Sequence, residues 1–385
     1  MPELPQELID LILERLDVAD KKTLRNCSRV ARSFRPTSQK HIFSHLTIRP
    51  SRGYYRNKSD SKMKQLRQIF ACSPQLALNV RSIVLVGGGN SSWFQGDGLP
   101  QILCMLVNLT RFSIDSGQSL SWDSLYSDLV EAVHAVVSLP TLTRLRFHCV
   151  AFGQSTQLVS LLRSCGNLAE LDLSIVAIEA VDLSDLQPKI PGLTSLDINP
   201  LRNQHVQCVT SALDLGSLQH LRISSDSPAA DSEIQTIFDA TETLRHFHVH
   251  LSHHHTDANM IDLRNLSHLQ TLELTIMFEF ASAPDEYDPI LWARNILATL
   301  QSPSSVEHVV FNVVVDEIDL LHLPRLGTLE APLMTPALAA LKKLTINLES
   351  LEVDFDISGG DREVFGAFPT LSGKGMVEVG LLGVH

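Results

Sequence analysis

Three stretches decide the fold of this 385-residue chain: Asn167-Leu168-Ala169-Glu170-Leu171-Asp172-Leu173, Gly192-Leu193-Thr194-Ser195-Leu196-Asp197-Ile198 and Ser217-Leu218-Gln219-His220-Leu221-Arg222-Ile223. Each reads LxxLxL, with polar residues between the apolar ones. Leu244 to Val249 and Leu269 to Leu274 repeat the form. The first apolar positions fall at 142, 168, 193, 218, 244 and 269, so the step is 25 or 26 residues throughout. Alternation of apolar and polar residues marks a half-buried strand. The intervening residues suit a helical or irregular return, and a period of this size signals a stacked array.

The pattern resembles leucine-rich repeats, in which a short strand and its return form one unit. Returns such as Gln157 to Arg163 and Glu233 to Phe238 read as helical. Leu158, Leu161 and Leu162, or Ile234, Ile237 and Phe238, stand at core spacing there. Looser copies begin at Leu109, at Val306 and at Leu341 or Leu351, and Val80 to Leu85 reads as the first strand, after a helix near Lys62 to Cys72. The asparagine that closes many leucine-rich repeats is mostly missing. The segment from Lys342 to His385 reads as irregular, with turns at Ser358 to Asp361 and Ser372 to Gly375.

In an LxxLxL strand the leucines point inward, so Leu171, Leu196, Leu221 and Leu272 are expected core residues. The residues between them form rows on the opposite face, which the resemblance makes the concave face of a horseshoe: Arg144, Arg146, His148; Glu170, Asp172, Ser174; Ser195, Asp197, Asn199; His220, Arg222, Ser224; His246, His248, His250; and Thr271, Glu273, Thr275. Arg146, Asp172, Asp197, Arg222, His248 and Glu273 are the candidates for holding a target. His248 beside Glu273 is expected to titrate near neutrality.

The first 46 residues carry a second signal: Leu4-Pro5-Gln6-Glu7-Leu8-Ile9, then Ile12-Leu13, Leu16, Leu24, Cys27-Ser28, Val30 and Phe34. Pro5 fits a first helical turn. Ile9, Leu13 and Leu16 line one helical face, and Leu8 and Ile12 another, with Leu11 between. Three helices this short cannot cover so much apolar surface. The stretch resembles an F-box, the module that docks a Skp-type adaptor. By that resemblance Leu4, Pro5, Glu7, Leu8, Ile12, Leu16, Leu24, Cys27, Val30 and Phe34 are the adaptor-binding positions. Phe34 departs from the commoner Trp, keeping an aromatic plug without an N–H donor.

The expected architecture is α/β: an F-box over 1–48, a helical linker over 49–75, and degenerate leucine-rich repeats over 76–385 with a parallel sheet on the concave face. The combination is similar to an F-box family expanded in mushroom-forming fungi. It implies the substrate receptor of a Skp–cullin–F-box ubiquitin ligase, partnered by the adaptor and, through it, by the cullin–RING ligase. The alternative is a repeat scaffold outside any ligase, with the N-terminal helices as a cap.

Composition agrees with a folded protein: 44% hydrophobic and 19% charged residues. No apolar run approaches a membrane span, and the acidic, amphipathic start does not read as a signal peptide. Six scattered cysteines without a CxxC pair fit a reducing compartment, so cytoplasm and/or nucleus is the expected location, and the sequons at Asn57, Asn90, Asn108 and Asn265 carry no meaning there. Residues 1–70 hold 15 Lys+Arg against 7 Asp+Glu, while the remainder holds 16 against 36. From Arg29 to Arg67 Asp60 is the only acid. Without aromatic interleaving this reads as a solvated surface, with no nucleic-acid or membrane partner expected.

Six histidines lie between His246 and His255. Residues two apart on one strand stand about 7 Å apart, wide for a single ion, so no metal is expected. Gly87-Gly88-Gly89-Asn90 lacks the spacing of a phosphate loop, and pairs such as Asp285-Glu286 or Asp354 with Asp356 are generic. No HExxH, GxSxG elbow or nucleophile motif appears, so neither enzymatic activity nor a cofactor is expected.

Overall fold

The computed structural model describes residues 5–16, 20–49, 56–87, 98–180, 192–225, 230–251, 261–278, 288–315, 319–350 and 360–382. The chain divides into two compact units, Met1–Leu186 and Gln187–His385. Among the described residues, every strand pair is parallel.

The first unit opens with α1 (Gln6–Glu14), α2 (Lys21–Val30), a 3-10 turn (Arg32–Phe34) and α3 (Arg35–Ser44). The Asp20 side chain accepts from the Thr23 N–H, so α2 starts on a satisfied cap. Five strands then pair in sequence order: β1 (His45–Ile48), β2 (Ser82–Gly87), β3 (Arg111–Ser121), β4 (Arg144–Gln154) and β5 (Glu170–Ser174). Between them lie α4 (Arg56–Cys72), α5 (Pro74–Ala77), α6 (Gly98–Cys104), α7 (Ser127–Val137) and α8 (Ser155–Ser164). In α7 Leu129, Ala132, Val133, Val136 and Val137 are buried, the spacing of one helical face. Cys149 and Ile175 occupy the same place after paired His148 and Ser174, and both adopt positive φ (54° and 53°). That left-handed kink re-aims the chain, and β6 (Ala177–Ala180) pairs with β4 beyond it.

The second unit continues the scheme with β7 (Ser195–Asn199), β8 (His220–Ser225), β9 (His246–Leu251), β10 (Thr271–Met277), β11 (His308–Val315), β12 (Lys343–Ser350) and β13 (Val377–Leu382), each paired with the next. Its helices are α9 (Asn203–Ala212), α10 (Ala230–Asp239), α11 (Pro289–Ala298), α12 (Glu330–Leu333), α13 (Gly360–Ala367) and α14 (Pro369–Gly373). Asp288 caps α11 by accepting from the Ile290 and Leu291 N–H groups, with Pro289 in the first turn, where no N–H is needed. Among the described residues no helix is long and apolar enough to cross a membrane.

One backbone device recurs in both units. The carbonyl of the residue after each repeat's first apolar position accepts two N–H groups from the start of the next strand. Arg81 accepts from Thr110 and Arg111, Thr110 from Thr143 and Arg144, and Thr143 from Ala169 and Glu170. Thr194, Gln219, Arg245, Gln270 and Glu307 do the same in the second unit. The register brings Phe112, Leu145 and Leu171 into one core row, and Leu196, Leu221, Phe247, Leu272, Val309 and Leu344 into another, all buried.

The missing asparagine has a substitute one residue before the first apolar position. Thr141 donates to the Leu109 carbonyl, Asn167 to Pro140, Thr243 to Gly216 and Leu218, and Ser305 to Ser267 and Leu269. Short hydroxyls serve as the amide would, because each needs only to reach a turn carbonyl of the preceding repeat.

Two sequence expectations change. The first strand is β1, at the end of the helical segment, rather than Val80 to Leu85, which becomes β2. The looser copies at Val306 and Leu341 do lead into strands, β11 and β12, after longer returns that hold α11 and α12. The stretch from 342 onward carries β12, α13, α14 and β13 rather than irregular chain, and Gly360 starts a helix rather than lying in a turn. Val364 of α13, Leu371 of α14 and Phe368 between them are buried there.

Leu221→Ala is expected to lower unfolding free energy by about 2–5 kcal/mol, the cost of a methylene deletion plus a core cavity. Thr243→Val, close to isosteric, should lose about 1–3 kcal/mol by removing the one hydroxyl donor that the Gly216 and Leu218 carbonyls share. Chemical denaturation of the purified chain measures both, and a Thr243→Val midpoint equal to wild type would remove the side-chain ladder from the account.

Candidate functional site

The helical segment separates its apolar residues into two sets. Ile9 and Leu13 on α1 and Leu24 on α2 are buried together, with Leu16, Cys27, Phe34 and Ile42 packed against them. Leu8, Leu11 and Ile12 face outward at 49%, 52% and 51% exposure, and Val30 at 75%. A nine-residue helix that buries one apolar row and leaves the next in water carries a surface built for cover by another chain. Asp10, next to this row, accepts from Thr37 and Gln6, which ties α1 to α3 and holds its carboxyl below the usual range.

Of the adaptor-binding positions, Leu4 lies outside the described residues. Pro5 is the N-cap of α1 rather than part of its first turn, and its carbonyl accepts from Leu8 and Ile9. Pro5, Glu7, Leu8, Ile12 and Val30 are exposed. Leu24 is fully buried, and Leu16, Cys27 and Phe34 are partly so. These four pack the helices together, whereas the five exposed positions and Leu11 remain on the surface of the segment.

On the sheet, the register carries the polar residues of each unit into aligned rows. In the first unit Arg144 pairs with Glu170 at 2.7 Å and Arg146 with Asp172 at 3.0 Å. The Ser174 hydroxyl donates to Asp172 at 2.5 Å. These ion pairs are half exposed, and such pairs contribute little to stability. Their charges remain exchangeable with those of a partner.

In the second unit Asp197, Arg222, His248 and Glu273 stand side by side on β7 to β10. Arg222 reaches Asp197 only at 4.0 Å and is largely exposed. His248 places Nδ1 3.5 Å from Glu273 and Nε2 3.0 Å from the Thr275 hydroxyl. Glu273 also accepts from Asn312 at 2.5 Å, and Asn347 donates to Asn312 at 2.8 Å, which extends the network to β12. His220 and His246 stack face to face, ring centres 4.4 Å apart and planes within 3°. Asp197, His220, Arg222, His246, His248 and Glu273 line a groove of about 390 Å³.

Burial decides the protonation of this face. It pushes His248 down to about 4, against the pull of Glu273, which overturns titration near neutrality. Burial also lowers His246, His250 and His308. The lowering favours the neutral form of His246, His248, His250 and His308, which suits hydrogen bonding more than charge pairing. Among the described residues no three His, Cys, Asp or Glu side chains converge as metal ligands, and His253 to His255 lie outside them. Cys165 and Cys208 are buried, and their thiols are pushed up to about 12.

Comparison with known proteins bears on the helical segment. Residues 1–46 match the F-box domain. The match spans α1 to α3 and the start of β1, so the exposed Leu8, Leu11 and Ile12 row lies on the F-box. No curated protein matches the chain.

Because the fold favours neutral His248, its contribution is fully present above pH 6.5 and is lost as pH falls toward 4. Urea midpoints at pH 7.0 and 4.5 should therefore fall further for wild type than for His248→Gln. Equal drops would show that His248 is not held neutral by burial.

Proposed function

We propose that this chain is the substrate receptor of a Skp–cullin–F-box ubiquitin ligase. The observation that carries the reading is the F-box match at residues 1–46, whose first helix leaves Leu8, Leu11 and Ile12 uncovered. F-box domains typically bind a Skp-type adaptor, and an apolar row in water fits such a partner. In this reading the chain performs no bond chemistry itself. It holds the adaptor on the F-box and the target on its repeats, so that a ubiquitin-charged enzyme on the cullin arm meets target lysines at high effective concentration.

The repeats resemble leucine-rich repeats, and their polar strand rows are the target surface in this proposal. Arg146 and Asp172 in the first unit, and Asp197, Arg222 and Glu273 in the second, offer partly exposed charges in defined strand positions. Such patterns set orientation and encounter rate more than affinity. His248 is a buried, neutral spacer within that pattern rather than a charge.

Two variants separate adaptor binding from folding. Ile12→Asp should fold as wild type, since Ile12 is half exposed, yet weaken adaptor capture by at least about a hundredfold, because burying an unpaired carboxylate costs on the order of 3 kcal/mol or more. Leu13→Ala should instead lose about 2–5 kcal/mol of stability. Adaptor capture by Ile12→Asp at wild-type affinity would sink the ligase reading. For the target, neutralising Arg146, Asp172 and Arg222 together should abolish capture while leaving adaptor binding intact. Retention of the same proteins by that variant would move the target site off the strand face.

A further inference from the structure

The chain is acidic overall, and several of its arginines meet carboxylates: Arg144, Arg146, Arg264 and Arg325 each stand within 3.0 Å of one. The basic stretch behind α1 contrasts with them. Arg32 lies in the 3-10 turn, and Arg35 and Lys40 follow on α3. They line an open groove of about 560 Å³ between α3 and the segment that follows α4. Gln39, Gln75 and Asn79 complete the polar lining, and buried Leu76 gives it an apolar patch.

Among the described residues no carboxylate lines this groove and none of the three cations forms an ion pair. Asp10, whose charge Lys40 does feel, is engaged by Thr37 and Gln6. Three like charges around one concavity repel each other, and an anion seated among them would relieve that. The groove also sits at the N-terminal turn of a ten-residue helix, whose dipole favours negative charge.

We propose that this groove binds a phosphoryl group. Two guanidinium forks, an ammonium and three carboxamides supply more donors than a carboxylate can accept. A phosphoryl group brings three acceptor oxygens and close to two negative charges. The site is separate from the exposed α1 row and stands whether or not the chain joins a ligase. Its ligand chemistry is shared by a phosphorylated side chain and by a small free phosphate.

Calorimetric titration of the full chain at low ionic strength tests it, with three probes: inorganic phosphate, a short Gly/Ala peptide carrying one phosphoserine, and the same peptide with serine. Saturable binding of a phosphorylated probe is expected, with the serine peptide inert. The affinity should fall at least tenfold in Arg32→Gln/Arg35→Gln, while Arg264→Gln, at an exposed arginine outside the groove, behaves as wild type. Tighter binding of the phosphopeptide assigns the site to a modified protein, and tighter binding of phosphate assigns it to a small ligand. Absence of binding, equal affinity in the double variant, or tighter binding of a random-sequence oligonucleotide than of either probe would each overturn the proposal. Circular dichroism of the variant guards against misfolding, and Lys40→Gln alone, expected to weaken binding more modestly, gives a second reading if the double variant unfolds.

Discussion

The shared carbonyl at the start of each repeat is the constraint on which the rest depends. A parallel strand has no tight turn to set its register, so something else must stop it sliding by a residue. Here one carbonyl, on the residue after the first apolar position, binds two N–H groups of the following strand. A slip of one residue would break both bonds and turn Leu171, Leu221 and Leu272 out to solvent. With register set in this way, every polar residue of the strands inherits a defined neighbour. That is why Arg146 meets Asp172, and His248 meets Glu273.

The same division between inside and outside governs the helical segment with a different period. A helix of nine residues has room for one core row, filled by Ile9 and Leu13, which close on Leu24. Leu8, Leu11 and Ile12 fall on the remaining turns and have no partner helix to meet. A buried and an exposed apolar row thus stand side by side on one short helix. Substitutions one residue apart, at Ile12 and Leu13, touch different properties.

Charge is handled in two ways. On the sheet, cations and carboxylates alternate across strands and hold one another loosely at half-exposed sites, where water screens them. His248 among them is held toward its neutral form because desolvation outweighs the nearby carboxylate. Around α3, by contrast, Arg32, Arg35 and Lys40 border an open groove on which, among the described residues, no carboxylate lies.

The repeat, the parallel strands, their inward leucines and the helical returns around Leu158 and Ile234 were legible in the sequence, because burial imposes periods that survive in the residue pattern. The division of α1 into two apolar faces was legible for the same reason. Tertiary structure alone decided which of those faces would be buried, since that depends on where Leu24 and Phe34 arrive from other elements. It alone placed β1 against β2, found the hydroxyl ladder of Thr141, Thr243 and Ser305, and gave the segment after Leu341 the strands β12 and β13 and the helices α13 and α14. It also moved His248 away from neutrality and gathered Arg32, Arg35 and Lys40 at a groove with Gln75 and Asn79. Periodicity is a local property and leaves its mark along the chain. Desolvation, charge pairing and the meeting of distant segments are set by neighbours in space, which no local pattern records.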